Sequence, residues 1–225
     1  MNPTPRFVIF DLFNTLVHGA GHSWELAVAE MGVILGVDPA DLIAAYTATW
    51  RRRQVEWDTE QTVRILAERI GGSPSQDQVR RAAAVRRALA RRILSTGQGS
   101  TVPVLDSLRE AGFRLGLVSN ATGDTAESWP GTELAERFDV AIFSCIIGAA
   151  KPDPRIFLAA TSALGAQPGE CVYVGDGADS ELPAAEALGM TAVRTTQHTD
   201  SDPSWTGMSI ASLAEVRALL PAGAS

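Results

Sequence analysis

The sequence lacks the features that mark several functional classes. Its two cysteines, Cys145 and Cys171, are too few to form a metal site alone, and we expect both to be buried free thiols. Its three histidines match no metal-binding spacing. No apolar run approaches the roughly 18 residues that a membrane span needs, and the first residues do not resemble a signal peptide. These absences predict a cytosolic protein that does not contact a membrane.

Lysine is almost absent, and basic charge is unevenly placed. Of the 19 basic residues, Lys151 is the only lysine, and 11 lie between residues 20 and 96 beside nine acidic residues. The rest of the chain is strongly acidic, and the net charge is −7. A chain without a dominant basic face is not expected to bind nucleic acid, so a small anion suits the basic segment better. The single ammonium indicates that a compact point charge is needed at Lys151.

The first half of the chain predicts one strand followed by a helical segment. With 225 residues, of which 45% are hydrophobic and 20% charged, the chain can bury a globular core. The apolar run 7–10 predicts a buried central strand. Helical periodicity follows at about 23–36, 39–53, 59–70 and 76–94, with N-caps at Asp38, Asp58 and Ser75. Residues 95–100 are predicted to be a linker.

Helices and strands alternate in the second half. Strands are expected at 115–118, 140–143, 171–174 and 191–194, with helices at 104–110, 154–164, 180–188 and 210–220. This order predicts an α/β fold with a Rossmann-like parallel sheet. We assign residues 1–18 and 98–225 to this core and residues 19–97 to an inserted, all-helical cap domain. Because ligands bind at the carboxyl ends of such strands, Asp11, Ser119 and Asp176 are expected to share one crevice.

Asp11, at the end of the first strand, can act as a nucleophile if nearby positive charge offsets the negative charge of an anionic substrate. Lys151 and a hard cation supply such charge. Oxygen ligands from Asp11, the backbone carbonyl of Phe13 and Asp176 suit Mg²⁺, which takes one or two carboxylates together with substrate phosphate. Thr15 and Ser119 can donate hydroxyl hydrogen bonds to the group that is transferred.

Four motifs occur in order along the chain. They are Asp-Leu-Phe-Asn-Thr at 11–15, Ser-Asn at 119–120, Lys-Pro-Asp-Pro at 151–154, and Gly-Asp at 175–176 followed by Asp179 and Glu181. Together they resemble the motifs of the haloacid dehalogenase-like hydrolase superfamily. The resemblance covers essentially the whole chain, and the inserted helices resemble the C1-type cap of that superfamily.

The resemblance implies a role for each motif. Asp11 becomes the nucleophile, while Thr15 and Ser119, the latter with its neighbour Asn120, bind phosphoryl oxygens. Lys151 neutralises charge, and Asp176 holds Mg²⁺. Glu181 stands where many members have a second carboxylate in the fourth motif.

One position departs from the phosphatase pattern. Phosphatases of the superfamily usually have a second aspartate two residues after the nucleophile, which protonates the leaving group, and here that residue is Phe13. Dehalogenases of the superfamily have an aromatic residue there. Their halide-facing arginine aligns with Arg51, which we therefore predict to bind substrate. Asp176 favours a phosphatase instead, because the dehalogenases bind no Mg²⁺ and lack this carboxylate.

The balance of these features favours a Mg²⁺-dependent phosphatase that acts on a small phosphorylated metabolite through an aspartyl-phosphate on Asp11. A metal-free 2-haloacid dehalogenase is the first alternative. A catalytically weak member that binds a phosphorylated ligand or a protein is the second, because Phe13 removes the usual acid and base. We expect a monomer or a homodimer.

Overall fold

Six parallel strands form one sheet in the computed structural model, which describes residues 5–96 and 98–222. The strands are β1 (Phe7–Phe10), β2 (Arg114–Ser119), β3 (Val140–Phe143), β4 (Cys171–Gly175), β5 (Thr191–Thr195) and β6 (Met208–Ile210). Their order across the sheet is β3-β2-β1-β4-β5-β6, so β1 pairs with both β2 and β4. The predicted α/β, Rossmann-like fold is confirmed. The carboxyl ends of β1, β2 and β4 meet at one edge, where Asp11, Ser119 and Asp176 lie.

The described α-helices surround this sheet or lie between β1 and β2. They are α1 (Ser23–Leu35), α2 (Pro39–Ala48), α3 (Trp50–Arg53), α4 (Thr59–Arg69), α5 (Gln76–Ser95), α6 (Gln98–Glu110), α7 (Gly123–Ser128), α8 (Ser144–Ile147), α9 (Pro154–Leu164) and α10 (Glu181–Ala187).

The pleat of β1 divides the core of the sheet into two layers. Val8 and Phe10 pack into an apolar cluster with residues of α6, whereas Phe7 and Ile9 pack into another with residues of α9 and α10. Successive side chains of a strand point to opposite faces, so a fully buried strand must be apolar on both. The sequence of β1, Phe-Val-Ile-Phe, meets that requirement.

The inserted helices α1–α5 have an apolar cluster of their own, which contains Val28, Met31, Leu42 and Leu66. Their starts agree with the sequence, because the side chains of Asp38, Asp58 and Ser75 accept hydrogen bonds from first-turn backbone N–H groups. The division into a core of residues 1–18 and 98–225 and a cap of residues 19–97 stays a prediction.

Several predicted elements differ from the structure. The helix expected over 39–53 is broken at Thr49, whose hydroxyl donates to the carbonyls of Ala45 and Tyr46 and competes with the backbone. The helix expected over 210–220 is shorter and of the 3-10 type, over Leu213–Leu219, because Ile210 is the last residue of β6 and pairs with β5. The short helices α7 and α8 have too few residues to show a periodic pattern. The predicted linker is also too long, since α6 begins at Gln98; residue 97 lies outside the described residues.

Polar contacts join the inserted helices to α7, which follows β2. Arg86 of α5 forms a salt bridge of 2.9 Å with Asp124, and the hydroxyl of Thr59 donates to Glu127 at 2.8 Å. A Cβ at Gly123 would lie 2.8 Å from the backbone nitrogen of Thr59, so the two segments pack as closely as glycine allows. Within the described ranges, no helix is long and apolar enough to cross a bilayer.

Candidate active site

The turn after β1 holds Asp11 in a buried, hydrogen-bonded position. Its backbone N–H donates to the carbonyl of Val174 on β4 at 2.9 Å. The chain then reverses at Asn14, which has a φ of 59°, a conformation that asparagine tolerates better than most residues. This reversal brings the hydroxyl of Thr15 to 3.0 Å from Oδ2 of Asp11, to which it donates. The predicted pair of Asp11 and Thr15 is therefore brought together by local backbone geometry.

Lys151 reaches the same carboxylate from a distant loop. Its Nζ donates to Oδ1 of Asp11, to Oε2 of Glu181 at 2.6 Å and to the hydroxyl of Tyr173 at 3.2 Å. The side chain is only 3% exposed. Burial opposes the charged form, but Asp11 and Glu181 outweigh burial and raise the pKa of Lys151. Lys151 therefore lies between the carboxyl groups of Asp11 and Glu181, which favour its charged form.

Hydrogen bonds from the protein fix the carboxyl group of Glu181, which in turn positions Lys151. Its Oε2 accepts from the hydroxyl of Tyr173 at 2.7 Å and its Oε1 from the backbone N–H of Gly177 at 3.0 Å. A Cβ at position 175 would lie 2.0 Å from Oε1, so only glycine admits this carboxylate. Burial raises the pKa of Glu181 to about 7, although Lys151 opposes the shift.

Asp176 supplies a third carboxylate beside Asp11. Its Oδ2 accepts from the hydroxyl of Ser201 at 2.6 Å and its Oδ1 from the backbone N–H of Ala178 at 3.1 Å. Asp11, Asp176 and Glu181 each offer an oxygen atom, and these atoms lie within 4.8 Å of one another. Three buried carboxyl groups lie around one ammonium, and this oxygen-rich set fits a hard divalent cation. Burial raises the pKa of Asp11, and Lys151 limits the rise.

The second motif lies against the Lys151 loop. Asn120 accepts from the backbone N–H of Lys151 at 2.7 Å and donates to its carbonyl at 3.1 Å and to Asp179 at 2.7 Å. Its neighbour Ser119 has a fully buried hydroxyl without a hydrogen-bond partner. Asn120 therefore positions the loop. Ser119 does not line the cavity described next, so its contact with a phosphoryl group stays a prediction.

A cavity of about 730 Å³ lies between the carboxyl edge of the sheet and the inserted helices. Among its lining residues are Asp11, Phe13, Lys151 and Asp176 from the loops at that edge and Tyr46, Trp50, Arg53 and Arg86 from the helices. Arg51 is not among them. Its side chain is 67% exposed and forms a salt bridge of 2.9 Å with Asp179, so its predicted contact with substrate stays a prediction. The carbonyl of Phe13 likewise stays a predicted metal ligand.

Comparison with known proteins identifies the family to which this arrangement belongs. The sequence profile of the haloacid dehalogenase-like hydrolases matches residues 5–189. The chain belongs to this hydrolase family. The resemblance inferred from the four motifs is thus confirmed, and the matched range contains all four motifs, from Asp11 to Glu181.

Several proteins that are similar to this chain are phosphatases. A glyceraldehyde 3-phosphate phosphatase of Methanopyrus kandleri is 38% identical over 96 residues, which are 41% of this chain and 40% of that protein. The chain thus matches less than half the length of that relative. A phosphoglycolate phosphatase of Salmonella typhimurium is 29% identical over 85% of this chain and 81% of that protein. The crystal structure of a phosphatase of the family from Thermococcus onnurineus has a TM-score of 0.70 at 23% identity, covering 98% of this chain and 100% of that one, and supports the fold.

Sequence reasoning did not assign several polar residues around the site, among them Tyr173, Ser201, Arg53 and Arg86. Tyr173 lies in an apolar strand and gives no signal beyond its hydroxyl. Arg53 is one of three consecutive arginines, and only the packing of α3 shows that it is 1% exposed while Arg51 faces outward. Ser201 lies in a loop 25 residues beyond the carboxylate that it contacts.

Proposed function

We propose that this family member hydrolyses a small phosphomonoester through an aspartyl-phosphate on Asp11, with Mg²⁺ as its cofactor. The observation that carries the proposal is the buried Asp11 carboxylate, bonded to Thr15 and Lys151 and set beside the anchored carboxylate of Asp176. The phosphatase names of several relatives, among them a phosphoserine phosphatase of Thermus thermophilus, support a small phosphorylated substrate.

The residues can divide the reaction into two displacements at phosphorus. A carboxylate oxygen of Asp11 attacks the phosphorus atom, the bond to the ester oxygen breaks, and the leaving alkoxide takes a proton from water to become the alcohol. A second water molecule then attacks the acyl phosphate and gives up a proton to solvent, which releases inorganic phosphate and restores the Asp11 carboxylate. Lys151, the hydroxyl of Thr15 and the free hydroxyl of Ser119 would donate to the phosphoryl oxygens and stabilise their charge.

The carboxylates of Asp11 and Asp176 would hold Mg²⁺, with the predicted third ligand from the carbonyl of Phe13. When bound, the cation supplies positive charge that offsets the phosphoryl oxygens and the excess of carboxylates. Glu181 is less available, because Lys151, Tyr173 and Gly177 already occupy its oxygens. Its role is to orient Lys151.

The dehalogenase alternative has one feature in its favour and one against it. Phe13 lines the cavity where a phosphatase of the superfamily has its acid, as expected for a halide leaving group that needs no proton. Asp176, however, is fixed beside Asp11 by Ser201 and by the backbone N–H of Ala178. A second carboxylate at this position would repel the carboxylate of a haloacid. In a phosphatase the same carboxylate would bind the cation that offsets the charge of the phosphate.

Removal of metal separates these two reactions. We expect phosphatase activity to vanish in chelator and to return when Mg²⁺ is added, because the excess negative charge at Asp11, Asp176 and Glu181 would otherwise repel the substrate. Asp176→Ala should stay inactive at ordinary Mg²⁺ concentrations. Release of phosphate and of free halide is measured from phosphate esters and from 2-chloropropionate. Halide release in chelator would make the protein a dehalogenase instead.

Phe13 predicts an unusual preference among phosphate esters. Without a general acid, which typically contributes about 10² to 10⁴ in rate, the protein should hydrolyse aryl and acyl phosphates far faster than alkyl phosphates. Phe13→Asp places a carboxylate two residues beyond Asp11 and should raise kcat selectively for alkyl phosphates. Phe13→Asn is the matched control, since it has a similar size and no transferable proton. Equal rates of the wild type on aryl and alkyl esters would show that another group donates the proton.

A further inference from the structure

Two arginines of the inserted helices line the cavity that contains Asp11, and both are buried. Arg53 is 1% exposed and Arg86 is 9% exposed. Arginine is almost never this buried unless its charge is paired, because removal of a guanidinium from water is costly. Two such side chains in one cavity therefore require an explanation.

Aromatic rings hold the guanidinium of Arg53 in place. Its central carbon lies 3.4 Å from the ring centre of Tyr46 and 5.2 Å from that of Trp50. Nη2 donates to the carbonyl of Tyr46 at 3.0 Å, whereas Nε and Nη1 have no partner. Stacking satisfies the faces of a guanidinium but not its N–H groups, which remain available in its plane. Arg53 is thus a fixed cation with free donors.

Arg86 approaches the same tyrosine. Its guanidinium carbon lies 5.2 Å from the ring centre of Tyr46, and its Nη2 donates to Asp124 at 2.9 Å. The Nε and Nη1 atoms of Arg86 are buried without a partner. Burial opposes the charge of both arginines: it lowers the pKa of Arg53, while Asp124 keeps the pKa of Arg86 raised.

The charged groups around Tyr46 carry a net charge of +1. Arg53 and Arg86 bring two positive charges, and Asp124 brings one negative charge, with Tyr46 neutral between them because burial raises its pKa. One carboxylate would balance the remaining charge, whereas a second phosphate would exceed it. Both arginines have N–H donors to offer, and hydrogen bonds between a guanidinium and a carboxylate are strong because both partners are charged.

We propose that Arg53 and Arg86 form a carboxylate subsite, so that the substrate is a short phosphomonoester that also carries a carboxylate; this rests on the phosphatase activity proposed above. The phosphoryl group lies at Asp11 and Lys151, and the carboxylate lies across the same cavity at the two guanidinium groups. The cap residues thereby select the substrate class by charge.

Turnover of a matched substrate pair tests the subsite. Phosphoserine and phosphoethanolamine differ only in the carboxylate. A hydrogen bond to a charged group contributes about 10-fold to 150-fold, so kcat/KM of the wild type should favour phosphoserine by roughly that factor. Arg53→Met and Arg53→Gln, two neutral replacements of different shape, should reduce the ratio of the two kcat/KM values to near one. A general loss of activity cancels in this ratio. Arg52→Gln, on the same helix but exposed, is the control and should leave the ratio unchanged.

Binding of phosphonates, which cannot be hydrolysed as esters, separates the subsite from the activity. Wild-type protein should bind 3-phosphonopropionate about 10-fold to 150-fold more tightly than propylphosphonate, as measured by calorimetry, and Arg53→Met should remove the difference. This wild-type comparison needs no variant to fold. Equal binding of the two, or tighter binding of propane-1,3-diphosphonate, would overturn the carboxylate subsite. If the binding preference holds while no phosphate ester is hydrolysed, the phosphatase proposal fails and the subsite stands.

Discussion

Asp11→Asn is expected to lower kcat by at least about a hundredfold, because an amide oxygen is a far weaker nucleophile than a carboxylate. The side chain changes little in size. Its amide oxygen can still accept from Lys151, and its amide nitrogen can donate to the hydroxyl of Thr15 in place of the original bond. We therefore expect a folded protein with an unchanged far-UV circular dichroism spectrum. The measurement is phosphate release under saturating substrate and Mg²⁺.

The control for this variant is Asp106→Asn, which changes an aspartate that is 45% exposed and pairs with Arg137 far from the cavity. Its kcat should stay within about twofold of the wild type, as expected for a surface substitution that removes no buried contact. If Asp11→Asn retained more than about a hundredth of wild-type activity, the nucleophile would have to be another residue.

Lys151→Met should produce the largest loss of stability. The ammonium is the cation that bonds to both Asp11 and Glu181, and its removal leaves buried carboxylates within 4.8 Å of one another without compensation. Breaking a buried ion pair in this way typically lowers the free energy of unfolding by about 3 to 5 kcal/mol. Urea denaturation in chelator measures the change. Activity should also vanish, because the phosphoryl oxygens lose their charged donor.

An exposed ion pair on the following helix gives the comparison. Arg155 pairs with Asp153, and its side chain is 67% exposed. Arg155→Met should therefore change the free energy of unfolding by less than about 1 kcal/mol. A similarly small effect of Lys151→Met would mean that the carboxylates take up protons at little cost, and that the ammonium contributes little to the fold.

The order of the elements could be predicted from the sequence because the signals are local. The buried strand at 7–10, the caps at Asp38, Asp58 and Ser75, and the alternation of strands and helices depend on residues close together in the chain. The C-terminal strand β6 was missed for the opposite reason, since three residues become a strand only through pairing with β5. The break at Thr49 depends on a side chain that competes with the backbone.

The candidate site was predictable where it follows the strands. In a parallel sheet the residues that follow β1, β2 and β4 meet at one edge. The sequence alone therefore predicts that Asp11, Ser119 and Asp176 lie close together. Lys151 was predicted to act with Asp11 because it is the only lysine in the sequence and because of the resemblance to a family, and not from strand geometry. The support of Lys151 by Glu181 and Tyr173 was not visible, because a strand residue and a helix residue meet there through packing.

The sequence by itself determined the family, the sheet and the residue types at its active edge, because these depend on local periodicity and on motifs with fixed spacing. Only the tertiary structure decided which arginines of the helical segment face the cavity. Arg51, Arg52 and Arg53 are chemically identical neighbours, and the packing of α3 against Tyr46 alone buries the third and leaves the first two exposed. A side chain's partners depend on segments far away in the chain, so charge selection of the substrate could be read only after the helices were seen against the sheet.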